Sequence, residues 1–404
     1  MKRKIIFFFL INIFIFVGLE IIVKFTLKKL NYPTVYETGR IEDGRYDYLT
    51  GYYNYPNQNE KNKDSYKQAT DEYGFNLDGI RLKNADLSVK NKCEYRLFIV
   101  GGSTTQGRSL INRQDPLSAR IETLLNKFYK SEKINFIVIN TGSTSFLSSQ
   151  ELALIQYKIL YSLKPDHIIV FNGTNDFSMP LGNKIINANS HYFQREFQSN
   201  FQKASRNIFY FFDDFLKKNL SLYFATKKII ENPKIILPFI KSDKKKNKFY
   251  QNLDTVENHV QRYFFNINIM SKISTKETPI SVFFQPTMLP ENKNNLSNHD
   301  LKIYNNFLKS KYNYWGDKDY FSSKQTYYEK MREGISNFEK KNHFNNYFQL
   351  KDLSKIFYEI KNQDFYSDYV HYLPSSRQII SENIFNAINT LIKEKIISDY
   401  SDCK

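Results

Sequence analysis

The sequence predicts an α/β fold in which a mostly parallel sheet carries helices on both faces. Short apolar runs alternate with amphipathic segments of helical spacing, and the links between them are short. Such alternation is typical of parallel strands joined by crossover helices. The runs predicted to be strands are 95–100, 134–140, 165–173 and 279–286. The segments predicted to be helices are 115–130, 148–163, 253–273 and 375–396.

Local signals support these elements. The first strand, YRLFIV, is a continuous apolar run bounded by a charged residue and by glycine, as expected for a strand that is buried on both faces. Asp115 and Pro116 suit the start of the first helix. Ser148 and Glu151 have capping-box spacing at the start of the second helix.

The chain divides into three predicted regions. Residues 1–29 form an N-terminal segment, residues 30–90 a polar stalk and entry segment, and residues 91–396 the α/β domain. Within that domain, the stretches at about 180–275 and 290–350 interrupt the strand–helix pattern. We expect these two stretches to be largely helical insertions.

The N-terminal segment predicts a single membrane-spanning helix. MKRK precedes the apolar run 5–23, which is close to the length of about 20 residues that spans a bilayer. No small-residue cleavage site follows, which favours an uncleaved signal anchor over a cleaved signal peptide. Glu20 weakens the span, and basic residues flank it on both sides, so the orientation rests on the short N-terminal tail staying in the cytoplasm. We expect the α/β domain to be periplasmic or otherwise extracytoplasmic.

The net charge of +17 does not predict a nucleic-acid partner. The lysines are scattered and accompany abundant Asn, Ile, Phe and Tyr, as in proteins encoded by AT-rich genomes, and no nucleic-acid-binding motif is present. The two cysteines, Cys93 and Cys403, have no zinc-site spacing and form no disulfide framework. The sequence is compatible with a single disulfide between them and does not determine the redox compartment. It does not predict the oligomeric state either.

Small polar residues follow three of the predicted strands, in the segments GGST, NTGSTS and NGTND. Ligands of open α/β sheets bind beyond the carboxyl ends of the strands, so Ser103, Gly142 and Asn175 are expected at one crevice. GGSTTQG is not a phosphate-binding loop, because the Lys-Ser/Thr pair of that motif is missing.

A serine at this position needs a base in order to act as a nucleophile. Of the six histidines, His371 alone has a companion motif: Asp368 lies three residues earlier in DYVH, and a helix follows. A turn of this kind supplies a carboxylate and an imidazole together. The remaining histidines have structural, helix, loop or insertion contexts, and they are His167, His191, His259, His299 and His343.

These segments resemble the SGNH (GDSL-type) esterases and lipases, of the membrane-anchored bacterial type. GGSTTQG, NTGSTS, NGTND and DYVH are similar to the family's four blocks and occur in the same order. The similarity extends over roughly 90–180 and 275–395. It implies a flavodoxin-like, three-layer α/β/α sandwich.

The resemblance also implies roles for individual residues. Ser103 would be the nucleophile, with His371 near its Oγ and Asp368 on the far side of the imidazole ring. The backbone N–H groups of Ser103 and Gly142 and the side chain of Asn175 would form the oxyanion hole. No metal and no cofactor are expected.

Two neighbouring residues qualify this assignment. The family usually has Asp before the nucleophile, whereas this chain has Gly102, which leaves the hydrogen bonding around Ser103 open. Asp176 is expected to brace its loop and not to react.

The resemblance predicts a membrane-anchored serine esterase that hydrolyses O-acyl esters, above all O-acetyl esters of a carbohydrate or another envelope substrate. An O-acyltransferase that uses the same residues on a polysaccharide is the first alternative, with the two insertions excluding water. A lipase is a second, because the segment 180–240 is rich in Phe, and a non-catalytic glycan-binding protein is a third.

Overall fold

The computed structural model describes residues 2–29, 45–47, 49–54, 56–57, 69–78, 87–107, 115–181, 216, 220–223, 226, 253–309, 318–341, 345–361 and 363–403. The chain forms two compact units. The first comprises Met1–Tyr46 and Arg195–Asn247, and the second comprises Asp47–Gln194 and Lys248–Lys404.

The first unit contains the helix α1 (Lys2–Lys29). The carboxylate of Glu20 accepts hydrogen bonds from the backbone N–H groups of Ser221 and Leu222, at 2.5 and 2.8 Å. Among the described residues, no helix is both long enough and apolar enough to cross a membrane. Most of the predicted insertion between residues 182 and 252 lies outside the described residues.

The second unit is built on five parallel strands, which confirms the α/β prediction. After a short two-stranded sheet, β1 (Arg45–Asp47) and β2 (Gly51–Tyr53), the strands run in the order β4-β3-β5-β6-β7. Counted along the chain, the five strands have the order 2-1-3-4-5 of flavodoxin-like sheets. They are β3 (Glu94–Gly101), β4 (Asn135–Asn140), β5 (His167–Asn172), β6 (Ile280–Phe284) and β7 (Phe348–Asp352).

Burial explains which strands the sequence reveals. Every residue of β3, β5 and β6 is buried, so these strands appear in the sequence as continuous apolar runs. The strand β7 was not predicted, because the segment 290–350 was expected to be an irregular insertion. It lies at the edge of the sheet, only Leu350 in it is buried, and FQLKD therefore lacks an apolar run.

Helices cover both faces of this sheet. On one side α3 packs against α10, and on the other α7 packs against both α4 and α9. Two of these helices lie in the stretches that were expected to be insertions. The helix α7 is the crossover between β5 and β6, and α9 packs against β7. The helices that follow α1 are α2 (Ser103–Gln106), α3 (Leu117–Phe128), α4 (Ser148–Leu154), α5 (Leu160–Ser162), α6 (Thr174–Leu181), α7 (Leu253–Ile273), α8 (Asn298–Lys309), α9 (Lys318–Lys341) and α10 (Pro374–Asp399).

The segment that was predicted to be a stalk falls within the compact second unit from Asp47 onward. Tyr53 and Phe75 are fully buried, and the hydroxyl of Tyr53 donates to the carbonyl of Thr141 at 2.9 Å. The segment looked like a stalk because it is polar. Its asparagines, however, satisfy backbone groups inside the unit, as buried polar groups must.

A disulfide joins Cys93 to Cys403 across 310 positions, with the two Cα atoms 5.7 Å apart. Cys93 immediately precedes β3, and Cys403 lies in the last turn after α10. The bond therefore fixes the C-terminal end of the outer helix layer to the start of a central strand.

Replacing both cysteines, Cys93→Ser together with Cys403→Ser, should lower the free energy of unfolding by about 2–5 kcal/mol, because the crosslink restricts the unfolded chain. Chemical denaturation of the full chain with and without dithiothreitol measures this effect. Reductant should destabilise the wild type and leave the double variant unchanged. A wild-type midpoint that ignores reduction would contradict the crosslink.

Candidate active site

The carboxyl end of β3 presents Ser103. The strand ends at Gly101, Gly102 follows, and Ser103 begins the short helix α2. The residues after Ser103 in this helix are buried, whereas Ser103 itself is partly exposed. The fold thus holds one hydroxyl at the crevice edge of the sheet, on a rigid support.

The structure brings Ser103, His371 and Asp368 together in the predicted order. The Nε2 atom of His371 lies 2.9 Å from the Oγ atom of Ser103. On the far side of the ring, Nδ1 lies 2.6 Å from Oδ2 of Asp368. With Nδ1 protonated, Nε2 is the free base that accepts the serine proton.

Asp368 is held as a carboxylate by its own turn. Its Oδ1 atom accepts the backbone N–H groups of Val370 and His371, both at 2.8 Å. Burial would raise the pKa of Asp368, but the hydrogen bonds from the ring and backbone of His371 and from Val370 lower it to about 2. The group that orients the imidazole is therefore ionised at any pH near neutrality.

The helix α8 fixes the turn that carries Asp368 and His371. The carboxylate of Asp300 accepts the backbone N–H groups of Phe365 and Tyr366, at 3.0 and 3.1 Å. The Nε2 atom of His299 lies 3.0 Å from the carbonyl oxygen of Tyr366. His299, which has no companion motif in the sequence, thus serves as a support for this turn.

Gly102 stands directly beside the amide of Asn175. A Cβ atom at residue 102 would lie well inside van der Waals contact with Nδ2 of Asn175. That Nδ2 donates to the carbonyl oxygen of Phe146 at 2.9 Å, and its second hydrogen remains for another acceptor. The close approach explains why residue 102 is a glycine, because any side chain here would displace the amide.

Gly142 does not have the orientation that the sequence predicted. Its N–H donates to Oδ1 of Asn140 at 3.0 Å, so this group is already used within its own loop. A Cβ atom at Gly142 would overlap the backbone nitrogen of Gln106. Glycine is therefore needed here because two backbone segments pass very close to each other.

Ser145, in the same loop, is a backbone donor that the sequence did not reveal. Its φ of 62° lies in the left-handed region, which residues other than Gly, Asn and Asp seldom adopt. Within the described residues no acceptor meets its N–H, and the next residue, Phe146, contacts Asn175. A serine gives no sequence signal of positive φ, so the sequence analysis did not single out Ser145.

Two buried carboxyl groups lie behind Asn175. Asp176 accepts hydrogen bonds from the backbone N–H and the hydroxyl of Ser148, and so holds the start of α4. Burial raises the pKa of Asp176 to about 6, against the effect of those hydrogen bonds. Burial and the charge of Asp176 raise the pKa of Glu151 far above its usual range, while a hydrogen bond from Asn172 opposes this. Asp176 braces the site, in agreement with the sequence analysis.

The other histidines lie apart from this arrangement. His167 is buried in β5, where its Nε2 atom lies 2.8 Å from Oγ of Ser281. His259 is buried edge-on to the ring of Phe177, and burial lowers its pKa to about 4. His191 and His343 lie outside the described residues. In the described part of the chain, no group of three or more His, Cys, Asp or Glu residues is placed to hold a metal ion.

The solved structures that are similar to this chain include an esterase, an α/β hydrolase and a lipase. The acetylxylan esterase Axe2 from Geobacillus stearothermophilus matches with a TM-score of 0.37 and 13% identity, over 74% of this chain and 96% of that chain. The α/β hydrolase LAE5 from the metagenome of Lake Arreo, Spain, matches with a TM-score of 0.34 and 13% identity, over 74% and 96%. The lipase Lip_vut3 from a goat rumen metagenome matches with a TM-score of 0.37 and 12% identity, over 72% and 97%. No model of a known protein family matches the chain, and no curated protein does.

Gly102→Ala should lower kcat for ester hydrolysis about 10²-fold or more, because it displaces the amide of Asn175, which the sequence analysis expects to be an oxyanion donor. Stability should change little, since the atom that must move is the end of one side chain. Steady-state kinetics of the single and double variants test this. Gly102→Ala combined with Asn175→Ala should be no slower than Asn175→Ala alone, because both changes act on one amide. Additive losses would contradict this role of Gly102.

Proposed function

We propose that the protein is a serine esterase that hydrolyses O-acyl esters. The observation that carries the proposal is the pair of hydrogen-bond contacts at His371, 2.9 Å to Oγ of Ser103 and 2.6 Å to Oδ2 of Asp368. A serine hydroxyl is a weak nucleophile by itself, and this arrangement of base and orienting carboxylate is what activates it.

The reaction follows from the geometry. Ser103 Oγ attacks the ester carbonyl carbon while Nε2 of His371 takes the hydroxyl proton. The imidazolium, stabilised by ionised Asp368, then gives that proton to the departing alcohol, which leaves an acyl group on Ser103. Water attacks the acyl-enzyme with His371 again as base, and the carboxylic acid and free serine result. An acyltransferase would replace this water with a sugar hydroxyl.

The developing oxyanion needs donors close to Ser103. We assign two of them to the backbone N–H of Ser103 and the side-chain amide of Asn175, as the sequence resemblance implies. The third is assigned to the N–H of Ser145 in place of Gly142, whose N–H is taken by Asn140. The left-handed backbone at Ser145 supports this assignment, since strained residues cluster at functional sites.

We further propose that the enzyme is anchored in a membrane and acts outside the cytoplasm on O-acetyl esters of an envelope carbohydrate. The apolar run 5–23 lies within the 28-residue helix α1. The disulfide between Cys93 and Cys403 supports an oxidising compartment, because such bonds are rare in the cytosol of mesophilic organisms. The membrane then brings the active site close to acylated polysaccharide.

Hydrolysis of a short-chain aryl ester by the full chain in detergent tests the esterase. Ser103→Ala should lower kcat by about 10⁶-fold, down to the residual rate that binding alone supplies. A fluorophosphonate probe should label the wild type at Ser103 and leave the variant unlabelled. Equal rates for the two proteins, or labelling of another serine, would refute the assignment. Transfer that exceeds hydrolysis when an oligosaccharide acceptor is added would identify an acyltransferase.

Alkaline carbonate extraction of expressing cells tests the anchor. The full chain should remain in the membrane pellet, and protease added outside the cytoplasmic membrane should reach the α/β domain. Ile13→Asp with Phe16→Asp places two charges in the middle of the apolar run, where each is expected to cost about 2.5–3.5 kcal/mol, and should release the protein. Extraction of the wild type by carbonate would contradict the proposal.

A further inference from the structure

Lys324 is a fully buried lysine on α9. A buried ammonium is costly unless other groups compensate it. Its Nζ atom donates to Oγ1 of Thr287 at 2.8 Å and lies 5.7 Å from the centre of the Tyr369 ring, on the face of that ring. A hydroxyl and an aromatic face together favour the charged form of this amine.

These contacts connect Lys324 to the turn that orients His371. The hydroxyl of Thr287 donates to the backbone carbonyl of Tyr369 at 3.2 Å, and Tyr369 follows Asp368 directly. The charge of Asp368 acts on Lys324. The lysine is therefore joined through Thr287 to the backbone of the turn, at the residue next to Asp368.

The groups of the described residues that bear on this ammonium come from the turn, from the segment before α8 and from α8 itself. The turn provides the carboxylate of Asp368, which in turn contacts the ring of His371. The segment before α8 contributes the neutral Thr287, and α8 packs against the same turn through Phe307, whose ring centre lies 4.2 Å from that of Tyr369. Within the described residues, Asp368 is the acid whose charge acts on Lys324.

The protonation of Lys324 is sensitive in the neutral range. Burial lowers the pKa of Lys324 to about 7, while the charge of Asp368 works to raise it. The amine is therefore charged over the mildly acidic range in which an ordinary imidazole, with a pKa of about 6.5, gains its proton.

We propose that Lys324 is a positioning residue of the active site: its buried ammonium, joined through Thr287 to the Asp368–His371 turn, keeps His371 unprotonated and ready to act as a base. This role rests on the proposed esterase function. A positive charge that acts on Asp368 weakens the pull of that carboxylate on a proton of the ring, and so disfavours a second positive charge there. It also stabilises the anionic form of Asp368, so that the orienting carboxylate does not become protonated.

Lys324→Met, which keeps the length of the side chain and removes its charge, should move the acidic limb of kcat/KM to higher pH. A shift of about 0.5–1 pH unit is expected, which makes the variant about three- to ten-fold slower at pH 5.5 and leaves the rate at pH 8.5 nearly unchanged. Lys324→Arg should restore the wild-type limb. Lys330→Met is the matched control, because Lys330 lies on the same helix but pairs with Glu257 at the surface.

A second measurement is independent of turnover. The ring signals of His371 in NMR spectra of the full chain, identified by their loss in His371→Gln, should change at a higher pH in Lys324→Met than in wild type. If Lys324→Met does not fold, Thr287→Val keeps the lysine and removes its hydroxyl partner, and it should shift the same signals in the same direction by less.

The outcomes separate this inference from the function on which it rests. Ester hydrolysis that does not depend on Ser103 would refute the proposed function, whatever the NMR titration shows. Suppose instead that hydrolysis depends on Ser103, but wild type and Lys324→Met have the same acidic limb and the same His371 titration. This result would overturn the role of Lys324 and leave the proposed function intact. A shift of equal size in Lys330→Met would also overturn it.

Discussion

The hydrogen-bond contact between Ser103 and His371 joins residues that are 268 positions apart, and the remainder of the unit keeps both ends in place. One end is fixed by a central strand of a parallel sheet. The other is fixed by the start of α10, where Arg377 donates to the carbonyl of Tyr372 and pairs with Asp115 just before α3. The packing of α10 against α3 thus helps to fix the position of the imidazole, through the contacts of Arg377. A base on a surface loop can act only because such contacts remove its freedom to move.

The same constraint explains the buried asparagines. The Nδ2 atoms of Asn54 and Asn76 both donate to the carbonyl of Gly142, at 3.0 and 2.8 Å. The Nδ2 atom of Asn140 donates to the carbonyl of Thr105 at 2.9 Å, inside α2. The loop after β4, the helix α2 and the N-terminal segment are thereby joined by side-chain amides. Each amide satisfies backbone groups that sharp turns leave without a partner in secondary structure.

Sequence patterns predicted those strands and site residues that are determined by neighbouring residues in the chain. Four strands were visible as apolar runs, and three of them, β3, β5 and β6, are buried throughout. Asp368 and His371 were visible because one turn carries both. The edge strand β7 was not, since exposure breaks the apolar run. The donor at Gly142 was implied by the resemblance of NTGSTS to a family block. The direction of its N–H depends on the side chain of Asn140, which such a resemblance does not report. In the same way, the need for glycine at residue 102 arises from the side chain of Asn175, 73 positions away.

Environment also decides which carboxyl group can serve the imidazole. Asp368 accepts two backbone N–H groups besides the ring N–H, and these lower its pKa to about 2 despite burial. Asp176 accepts hydrogen bonds from Ser148 in an enclosed site. Burial prevails there and raises the pKa of Asp176 to about 6. The first remains an anion throughout the range in which imidazole titrates, whereas the second is partly protonated there. A partner that stabilises an imidazolium must be an anion, so Asp368 is suited to that task, and Asp176 is suited to joining Asn175 to the start of α4.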